Sequence, residues 1–343
     1  MENVYDLTAS QWLSLPDHAV AALFPANAAD RQRLFRKLVQ RWHPDRNTDA
    51  RASEVFMRIQ RLARTVRLPR TDKAAIEVMS TDGRTFRYQA THSEDHALGR
   101  FHRASATLAY QVLPAHRSLF ENAATRIAGL DYATPAMRKS LSALLPTIVG
   151  SVWGNSGGLL VLRKPTDAIR LRDLMDFAGQ LDPRHVAWII SGLFNLACYL
   201  EHARLAHHDI GLDTVWIRPA CHEVLLLGGW FFATPYDARL STLPLHAAQL
   251  ASPRYLAARR AGPGLDTELV RAVGRELLGD RMGQRLPATT PSAIKRFLTD
   301  PPAPSAIEDY RDWKQALEAS FGPPTFVPMP FSASDIYKEN HHG

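Results

Sequence analysis

The chain has 343 residues, of which 45% are hydrophobic and 22% are charged. This is the composition of a globular protein, so it excludes wholesale disorder, and the length suggests about two domains. Two cysteines, Cys198 and Cys221, are too few for a disulfide framework. The N-terminus has no secretory signal pattern, and the longest apolar run, residues 188–200, is too short to span a bilayer. These features predict a cytoplasmic protein that does not enter a membrane.

The net charge of +7 is unevenly distributed along the chain. Residues 1–70 contain 12 Lys or Arg and 7 Asp or Glu, whereas residues 71–343 contain 29 and 27. The basic excess is therefore local, which argues against a chain-wide nucleic-acid surface and favours a single basic module.

The first predicted elements are two helices within residues 17–68. The first helix has one apolar face and ends at Pro44, and the second covers residues 50–67. The inward-facing residues are Leu34, Phe35, Leu38 and Trp42 in the first helix, and Val55, Phe56, Ile59, Leu62 and Val66 in the second.

A strand-rich part and then a helix-rich part follow. Residues 76–79 and 85–88 flank the turn sequence Thr81-Asp82-Gly83-Arg84 and predict a β-hairpin. Further strands are predicted over residues 107–113, 147–153, 159–162, 215–217 and 224–227, and helices over residues 171–177, 183–201 and 266–279. The proline-rich residues 323–330 predict an extended tail.

The most specific local pattern is His43-Pro44-Asp45, which lies between a basic amphipathic helix and a second amphipathic helix. In this order of elements, residues 17–67 resemble the J domain of DnaJ-type co-chaperones. The resemblance implies a small all-α domain over residues 1–70. Its partner would be a DnaK-type chaperone of the seventy-kilodalton heat-shock class, whose ATPase the domain stimulates.

The same resemblance assigns the residues that would bind the chaperone. They are His43, Pro44 and Asp45 in the loop, and Arg36, Lys37 and Arg41 on the basic helix. Pro44 stiffens the loop, Asp45 can accept a bidentate hydrogen bond from an arginine of the partner, and the basic helix makes association salt-sensitive. Two departures from the family are the lack of a fourth helix after Val66 and the polar Arg31 at a usually apolar position.

Two other interpretations fit this segment less well. A two-helix hairpin with an ordinary Pro-Asp turn would leave the basic face merely solvated. A nucleic-acid-binding helix-turn-helix would have a shorter turn without His-Pro-Asp.

A second resemblance is centred on residues 199–217, where an apolar helix leads into His207-His208-Asp209 and then a short strand. This order is similar to the catalytic loop of protein kinases, and the predicted elements from 171 to 279 fit the same family. The resemblance covers about residues 84–322 and implies an α+β bilobal protein-kinase-like domain. Residues 71–83 would be a linker and first hairpin strand, and residues 323–343 an extended tail.

Most groups that phosphoryl transfer requires are missing at the matching positions. The matching residues are Gln111 for the nucleotide lysine, Glu121 for the helix-C glutamate, His208-Asp209 for the end of the catalytic triplet, Thr214 for the asparagine and Leu227 for the magnesium-binding aspartate. The acidic stretch over residues 92–96 stands where a glycine-rich phosphate loop belongs. The resemblance therefore implies a pseudokinase with no catalytic residue, no cofactor and no metal, which is retained for binding.

The sequence thus predicts a J-domain co-chaperone whose pseudokinase domain holds an unidentified client or partner protein beside the chaperone. One alternative is an atypical ATP-binding protein kinase or phosphotransferase that uses Asp209. A second is a regulator whose pseudokinase domain controls another enzyme. A third is an unrelated α+β domain in which His208-Asp209 occurs by chance.

Two further patterns are weaker. Gly154-Asn155-Ser156-Gly157-Gly158 matches a serine-hydrolase elbow, but strand-like runs on both sides favour a hairpin turn. A zinc site is the other pattern, although its spacing matches no usual ligand pattern. Its ligands would come from Cys198, His202, His207, His208, Cys221 and His222.

Overall fold

The computed structural model describes residues 7–14, 34, 38, 41–42, 47, 49–52, 54–55, 58–59, 74–240 and 242–337. The chain divides into two compact units, Met1–Thr71 and Asp72–Gly343. The second unit combines helices with antiparallel sheets, which confirms the α+β class predicted for it. Among the described residues, no helix combines the length and the apolar character needed to cross a bilayer.

The first unit has an apolar core to which three parts of its sequence contribute. A short helix, α1 (Ala9–Ser14), was not predicted, and it buries Trp12. The guanidinium of Arg58 donates a hydrogen bond to the carbonyl oxygen of Trp12. The predicted inward positions Leu38, Trp42, Val55 and Ile59 are buried, which confirms them, and Leu34 is half-buried. The other predicted inward residues, Phe35, Phe56, Leu62 and Val66, lie outside the described residues.

The second unit begins with seven strands and two helices. They are β1 (Ala74–Met79), β2 (Thr85–Ala90), β3 (His92–His96), β4 (Gly99–Arg103), β5 (Thr107–Val112), α2 (Arg117–Ala128), α3 (Pro135–Leu141), β6 (Ile148–Gly154) and β7 (Gly157–Arg163). Strands β3 to β7 form an antiparallel sheet in the order β3-β4-β5-β7-β6. Strands β1 and β2 form the predicted hairpin, and β6 and β7 are joined by the hairpin turn predicted at Gly154–Gly157.

The two faces of the five-stranded sheet are covered by different elements. Because side chains alternate along a strand, Leu108, Tyr110 and Val112 of β5 share one face, where α2 packs with Phe120. Ala109 lies on the opposite face, against the β1–β2 hairpin. The hairpin therefore closes the outer face of the sheet, and the other face is directed towards the rest of the unit.

The remainder of the unit is mostly helical. It comprises β8 (Ile169–Arg170), α4 (Leu171–Ala178), α5 (Pro183–His202), β9 (Leu205–Ala206), β10 (Val215–Arg218), β11 (Glu223–Leu226), β12 (Thr234–Pro235), α6 (Leu245–Ala248), α7 (Pro253–Ala258), α8 (Gly264–Leu277), α9 (Ser292–Thr299), α10 (Ala306–Phe321) and α11 (Ala333–Ile336). The short strands form two small antiparallel sheets, β11-β10-β8 and β12-β9.

Helix α5 is the centre of this helical half. Asp182 caps its N-terminus by accepting a hydrogen bond from the backbone of Arg184, and Pro183 occupies its first turn. Its apolar residues are buried on more than one side, because α8 and α10 both pack against it. The buried guanidinium of Arg271 on α8 pairs with Asp309 on α10 through two hydrogen bonds of 3.0 and 2.5 Å.

Candidate functional site

The segment His207-His208-Asp209 lies in the loop after β9, and the start of α8 holds it in place. The carboxylate of Asp266 accepts hydrogen bonds from the backbone N–H of His207 at 2.6 Å and of His208 at 2.8 Å. Asp266 is buried, so these two bonds satisfy polar groups that water does not reach. The loop conformation is therefore fixed by a side chain about 60 residues further along the chain.

The ring of His207 is fully buried and links this loop to the segment after β11. Its Nδ1 accepts the backbone N–H of Asp209 at 3.2 Å, so its Nε2 carries the proton and donates to the carbonyl oxygen of Gly228 at 3.0 Å. Burial lowers the pKa of His207 to about 3, and Trp230 packs edge-on against the ring at 4.9 Å between centroids. His207 is thus a neutral structural bridge.

His208 also has a structural role. It adopts a left-handed backbone conformation with a φ of 65°, and its ring contacts the carbonyl oxygen of Phe232 at 3.1 Å and the hydroxyl of Tyr255 at 2.7 Å. The ring is buried, and both of its nitrogens have partners within the domain.

Asp209 faces a small cavity of about 90 Å³. Its Oδ1 lies 3.3 Å from Nε2 of His246 on α6. Burial raises the pKa of Asp209 well above its ordinary value, and the nearby carboxylates of Asp213 and Asp266 raise it further. Burial also lowers the pKa of His246 to about 4, so both members of this pair favour their neutral forms.

The hydroxyl of Thr214 forms its hydrogen bonds within the loop itself. Its hydroxyl donates to the carbonyl oxygen of Asp209 at 2.6 Å and accepts the backbone N–H of Gly211 at 3.0 Å. Leu227 is buried, with an exposed fraction of 1%, and offers no oxygen to a metal ion.

The next residue, Gly228, lies directly against Tyr110 of the sheet. A Cβ atom at Gly228 would stand 2.4 Å from the Tyr110 hydroxyl oxygen and 3.1 Å from Cα of Thr214. Only glycine therefore allows this close approach between the two halves of the unit.

The structure does not bring Gln111 and Glu121 together. Gln111 shares its sheet face with Ala109, on the side of the β1–β2 hairpin, and not with Tyr110. Glu121 is exposed on α2, where it pairs with Arg117 at 2.7 Å. The β5 side chain that enters the cleft between the two halves is Tyr110, one position before the residue that the sequence pattern indicated.

This cleft is filled by aromatic side chains. The ring centroid of Phe101 on β4 lies 5.4 Å from that of Tyr110 and 6.4 Å from that of Trp216 on β10. Tyr110 also packs edge-on against Phe231 at 5.1 Å. All four rings are at most 3% exposed, so they join the sheet and the helical half into one core.

Charged residues close the same cleft at one side. Arg170 of β8 holds Glu94 of β3 through hydrogen bonds of 2.5 and 3.1 Å, and it holds Asp173 of α4 at 2.8 Å. Burial alone would raise the pKa of Glu94, but the hydrogen bond from His92 and the charge of Arg170 hold it below its ordinary range. The ion pair from Glu94 to Arg170 therefore fastens the sheet to the helical half.

The C-terminal segment reaches this cluster through Tyr337. Its hydroxyl donates to Asp173 at 2.9 Å and accepts the backbone N–H of Arg170 at 2.9 Å. The guanidinium of Arg103 lies 3.7 Å above the Tyr337 ring. Sequence reasoning missed this residue because nothing local distinguishes a tyrosine at the end of a proline-rich segment.

The sequence matches no known family profile, and it matches no curated protein. Any functional assignment must therefore rest on this chain's own residues.

The residues assigned to chaperone binding are mostly outside the described part of the chain. These are His43, Pro44, Asp45, Arg36 and Lys37. Arg41 is described: it is half-buried, its guanidinium lies 5.8 Å from the Trp42 ring centroid, and its carbonyl oxygen accepts a hydrogen bond from Asn47 at 2.9 Å.

The residues suggested as zinc ligands do not form a metal site within the described ranges. Within them, no group of three or more His, Cys, Asp or Glu side chains is arranged to hold an ion. Cys198 and Cys221 are both free thiols, and burial raises the pKa of Cys198 to about 11. A thiol with such a pKa is a poor metal ligand at neutral pH.

Proposed function

We propose that this chain is a J-domain co-chaperone whose second unit is a catalytically inactive, protein-kinase-like domain that holds a client or partner. The His43-Pro44-Asp45 loop and the basic helix before it stimulate the ATPase of a DnaK-type chaperone. The second unit performs no phosphoryl transfer and places its partner beside that chaperone.

The observation that supports a catalytically inactive second unit is the filled cleft. Phe101, Tyr110, Trp216 and Phe231 occupy the space between the sheet and the helical half, where a kinase-like fold would hold its nucleotide. Leu227 adds no metal ligand, and the β5 side chain that faces this space is the buried phenol of Tyr110, which carries no positive charge. These features support a domain that has exchanged ligand binding in its cleft for a continuous core.

The order of elements in the second unit is compatible with this proposal. A five-stranded antiparallel sheet precedes a mostly helical half, and a helix, α2, follows the strand that carries Tyr110. Kinases likewise carry their nucleotide lysine on the third strand and pair it with a glutamate on the next helix. The corresponding polar pair does not form here, because Glu121 pairs with Arg117.

The decisive experiment measures steady-state ATP hydrolysis by a bacterial DnaK-type chaperone in the presence of the intact chain. We expect stimulation with the unmodified chain and its loss in His43→Gln. His202→Gln is the matched control, because His202 is an exposed histidine in the second unit. Stimulation that survives His43→Gln would refute the assigned role of the loop.

An atypical phosphotransferase is the second candidate, and the cavity at Asp209 is the observation that favours it. Asp209 and His246 lie 3.3 Å apart beside this cavity, and Asp209 would act as the base for a substrate hydroxyl only after losing its proton. Transfer of labelled phosphate from magnesium-ATP to protein, abolished by Asp209→Asn, would establish this activity. Absence of both transfer and tight magnesium-ATP binding is the result expected for a pseudokinase.

A regulator of another enzyme differs from a client-holding co-chaperone in the proteins that it binds. Affinity capture with the second unit intact should recover varied client proteins under the main proposal. Recovery of one active enzyme, with its rate changed by the chain, would favour the regulator instead.

A further inference from the structure

Four exposed arginines of the second unit lie at one corner, which we call the arginine surface. Its members are Arg204, Arg239, Arg259 and Arg260. Three chain segments converge there through backbone contacts. Arg239 pairs with Arg260 in an isolated β-bridge. The backbone N–H of Leu240 donates to the carbonyl oxygen of Arg259, and the backbone N–H of Tyr236 donates to the carbonyl oxygen of Arg204.

This surface carries a local excess of positive charge. Asp237 is its one acidic partner among the described residues, and it pairs with Arg204 at 2.6 Å. Arg260 donates to the backbone carbonyl of Asp237 at 2.9 Å. Within the described ranges, Arg239 and Arg259 form no ion pair, so their guanidinium groups remain available to an anion.

The backbone that presents these arginines is strained. Arg204, Asp237 and Arg259 all have positive φ angles, of 51°, 65° and 51°. Each left-handed residue that is not glycine costs on the order of 1 kcal/mol, and such residues cluster at binding sites and active sites. Three of the five positive-φ residues other than glycine among the described residues lie at this corner.

We propose that the arginine surface docks an acidic peptide segment of a partner protein. The inference rests on the proposed binding role of the second unit and names the chemistry of what that unit binds. Guanidinium groups pair bidentately with carboxylates, and Leu256, which is 43% exposed and precedes Arg259 by three residues, offers apolar surface in the same segment. The expected ligand is therefore a glutamate- or aspartate-rich segment that includes apolar side chains.

Charge distribution favours a peptide over a nucleic acid. Residues 71–343 have nearly balanced charges, with 29 basic and 27 acidic residues, so this part of the chain lacks the large basic excess that an extended polyanion would require. Nucleic-acid surfaces usually neutralise a longer run of phosphates and offer aromatic rings for stacking.

The test is direct binding of a labelled peptide of glutamates and leucines to the full-length chain, measured by fluorescence anisotropy without any chaperone. The double variant Arg239→Gln/Arg259→Asn removes two charges, and asparagine accepts a left-handed conformation better than arginine. We expect its dissociation constant to rise about tenfold, since each exposed ion pair contributes up to about 1 kcal/mol. The control Arg296→Gln/Arg311→Gln removes two exposed arginines elsewhere and should bind like the unmodified chain.

The outcomes separate the possible explanations. A selective loss in the first double variant, with no fall in its melting temperature, supports the proposal. Equal loss in both variants would indicate non-specific attraction and overturn it, as would failure of the unmodified chain to bind the peptide. Tighter binding of single-stranded DNA through the same arginines would also overturn it. ATPase stimulation measured on the same preparations reports on the co-chaperone proposal separately, because that assay depends on His43.

Discussion

Replacing Phe101 with alanine tests whether the cleft of the second unit is a permanently closed core. The Phe101 side chain is 2% exposed and lies between Tyr110 of the sheet and Trp216 of the helical half. The guanidinium of Arg170 also stands 4.8 Å from its ring centroid. In a cleft that opened in solution, this ring would spend time in water and its loss would cost little.

The expected cost follows from the buried ring. Truncation to alanine removes about 100 Å² of buried apolar surface, which corresponds to about 2.5 kcal/mol. The residual cavity and the lost contacts with neighbouring rings add about 1 to 2 kcal/mol. We therefore expect the free energy of unfolding of the second unit to fall by about 4 kcal/mol in Phe101→Ala.

Denaturant titration followed by tryptophan fluorescence measures this change, and Phe177→Ala is the matched control. Phe177 is 52% exposed on α4 and contacts Phe331 at 5.3 Å between centroids, so its loss should cost less than about 1 kcal/mol. A cost below about 1 kcal/mol for Phe101→Ala as well would refute the closed cleft. It would also return nucleotide binding to consideration.

Three further predictions concern the same unit. Gly228→Ala should lower the free energy of unfolding by about 2 kcal/mol in denaturant titration, because the new Cβ meets the Tyr110 hydroxyl. Adding Tyr110→Phe should recover part of this loss. If the effects of the two substitutions are simply additive, this explanation is wrong. The pKa of His207 is about 3 when folded and ordinary when unfolded, so the unfolded chain takes up a proton first as the pH falls. The free energy of unfolding should therefore decrease below about pH 6.5, by up to about 1.4 kcal/mol per pH unit from this residue. His207→Gln should make the dependence of stability on pH less steep. An unchanged slope in this variant would contradict the lowered pKa of His207. Asp309→Ala should cost about 3 to 5 kcal/mol, because it leaves the Arg271 guanidinium buried without its carboxylate, and a melting temperature within a few degrees of the unmodified chain would contradict this.

The strands with strong apolar patterns were predictable, and the polar strands were not. Residues 107–113, 147–153 and 159–162 are runs of β-branched and apolar residues, and they form β5, β6 and β7. Strand β3 has the sequence His92-Ser93-Glu94-Asp95-His96, an acidic stretch that was expected at the position of a phosphate-binding loop. Glu94 is tolerated in the sheet because Arg170, 76 residues later, pairs with it, and no local pattern shows such a partner.

The candidate site was only partly predictable, because contacts between residues distant in sequence again decide which side chains meet. The kinase-like pattern assigns roles to His208, Asp209, Thr214 and Leu227. In the structure the first three lie in the loop after β9, and the residue after Leu227, Gly228, donates its backbone N–H to Thr214. The strand that carries Gln111 was also predicted, but a shift of one residue in a strand moves a side chain to the opposite face. Which face meets the helical half depends on tertiary packing, so Tyr110 emerged only from the structure.

The anchoring of the loop likewise depends on a distant residue. Asp266 accepts two backbone hydrogen bonds from residues 207 and 208, yet in sequence it is one aspartate in the first turn of a helix. An acidic residue there is typical of any helix N-terminus. Its second role could not be distinguished from that ordinary preference.

The aromatic core between the sheet and the helical half has a consequence for recognition. Domains that close around a ligand lose conformational entropy each time they bind, and this loss weakens their affinity. Phe101, Tyr110, Trp216 and Phe231 incur that loss once, during folding. Under the proposed binding role, the sheet and the helical half would meet a partner already joined in one arrangement, so selectivity would be set by charge and shape rather than by closure of the cleft.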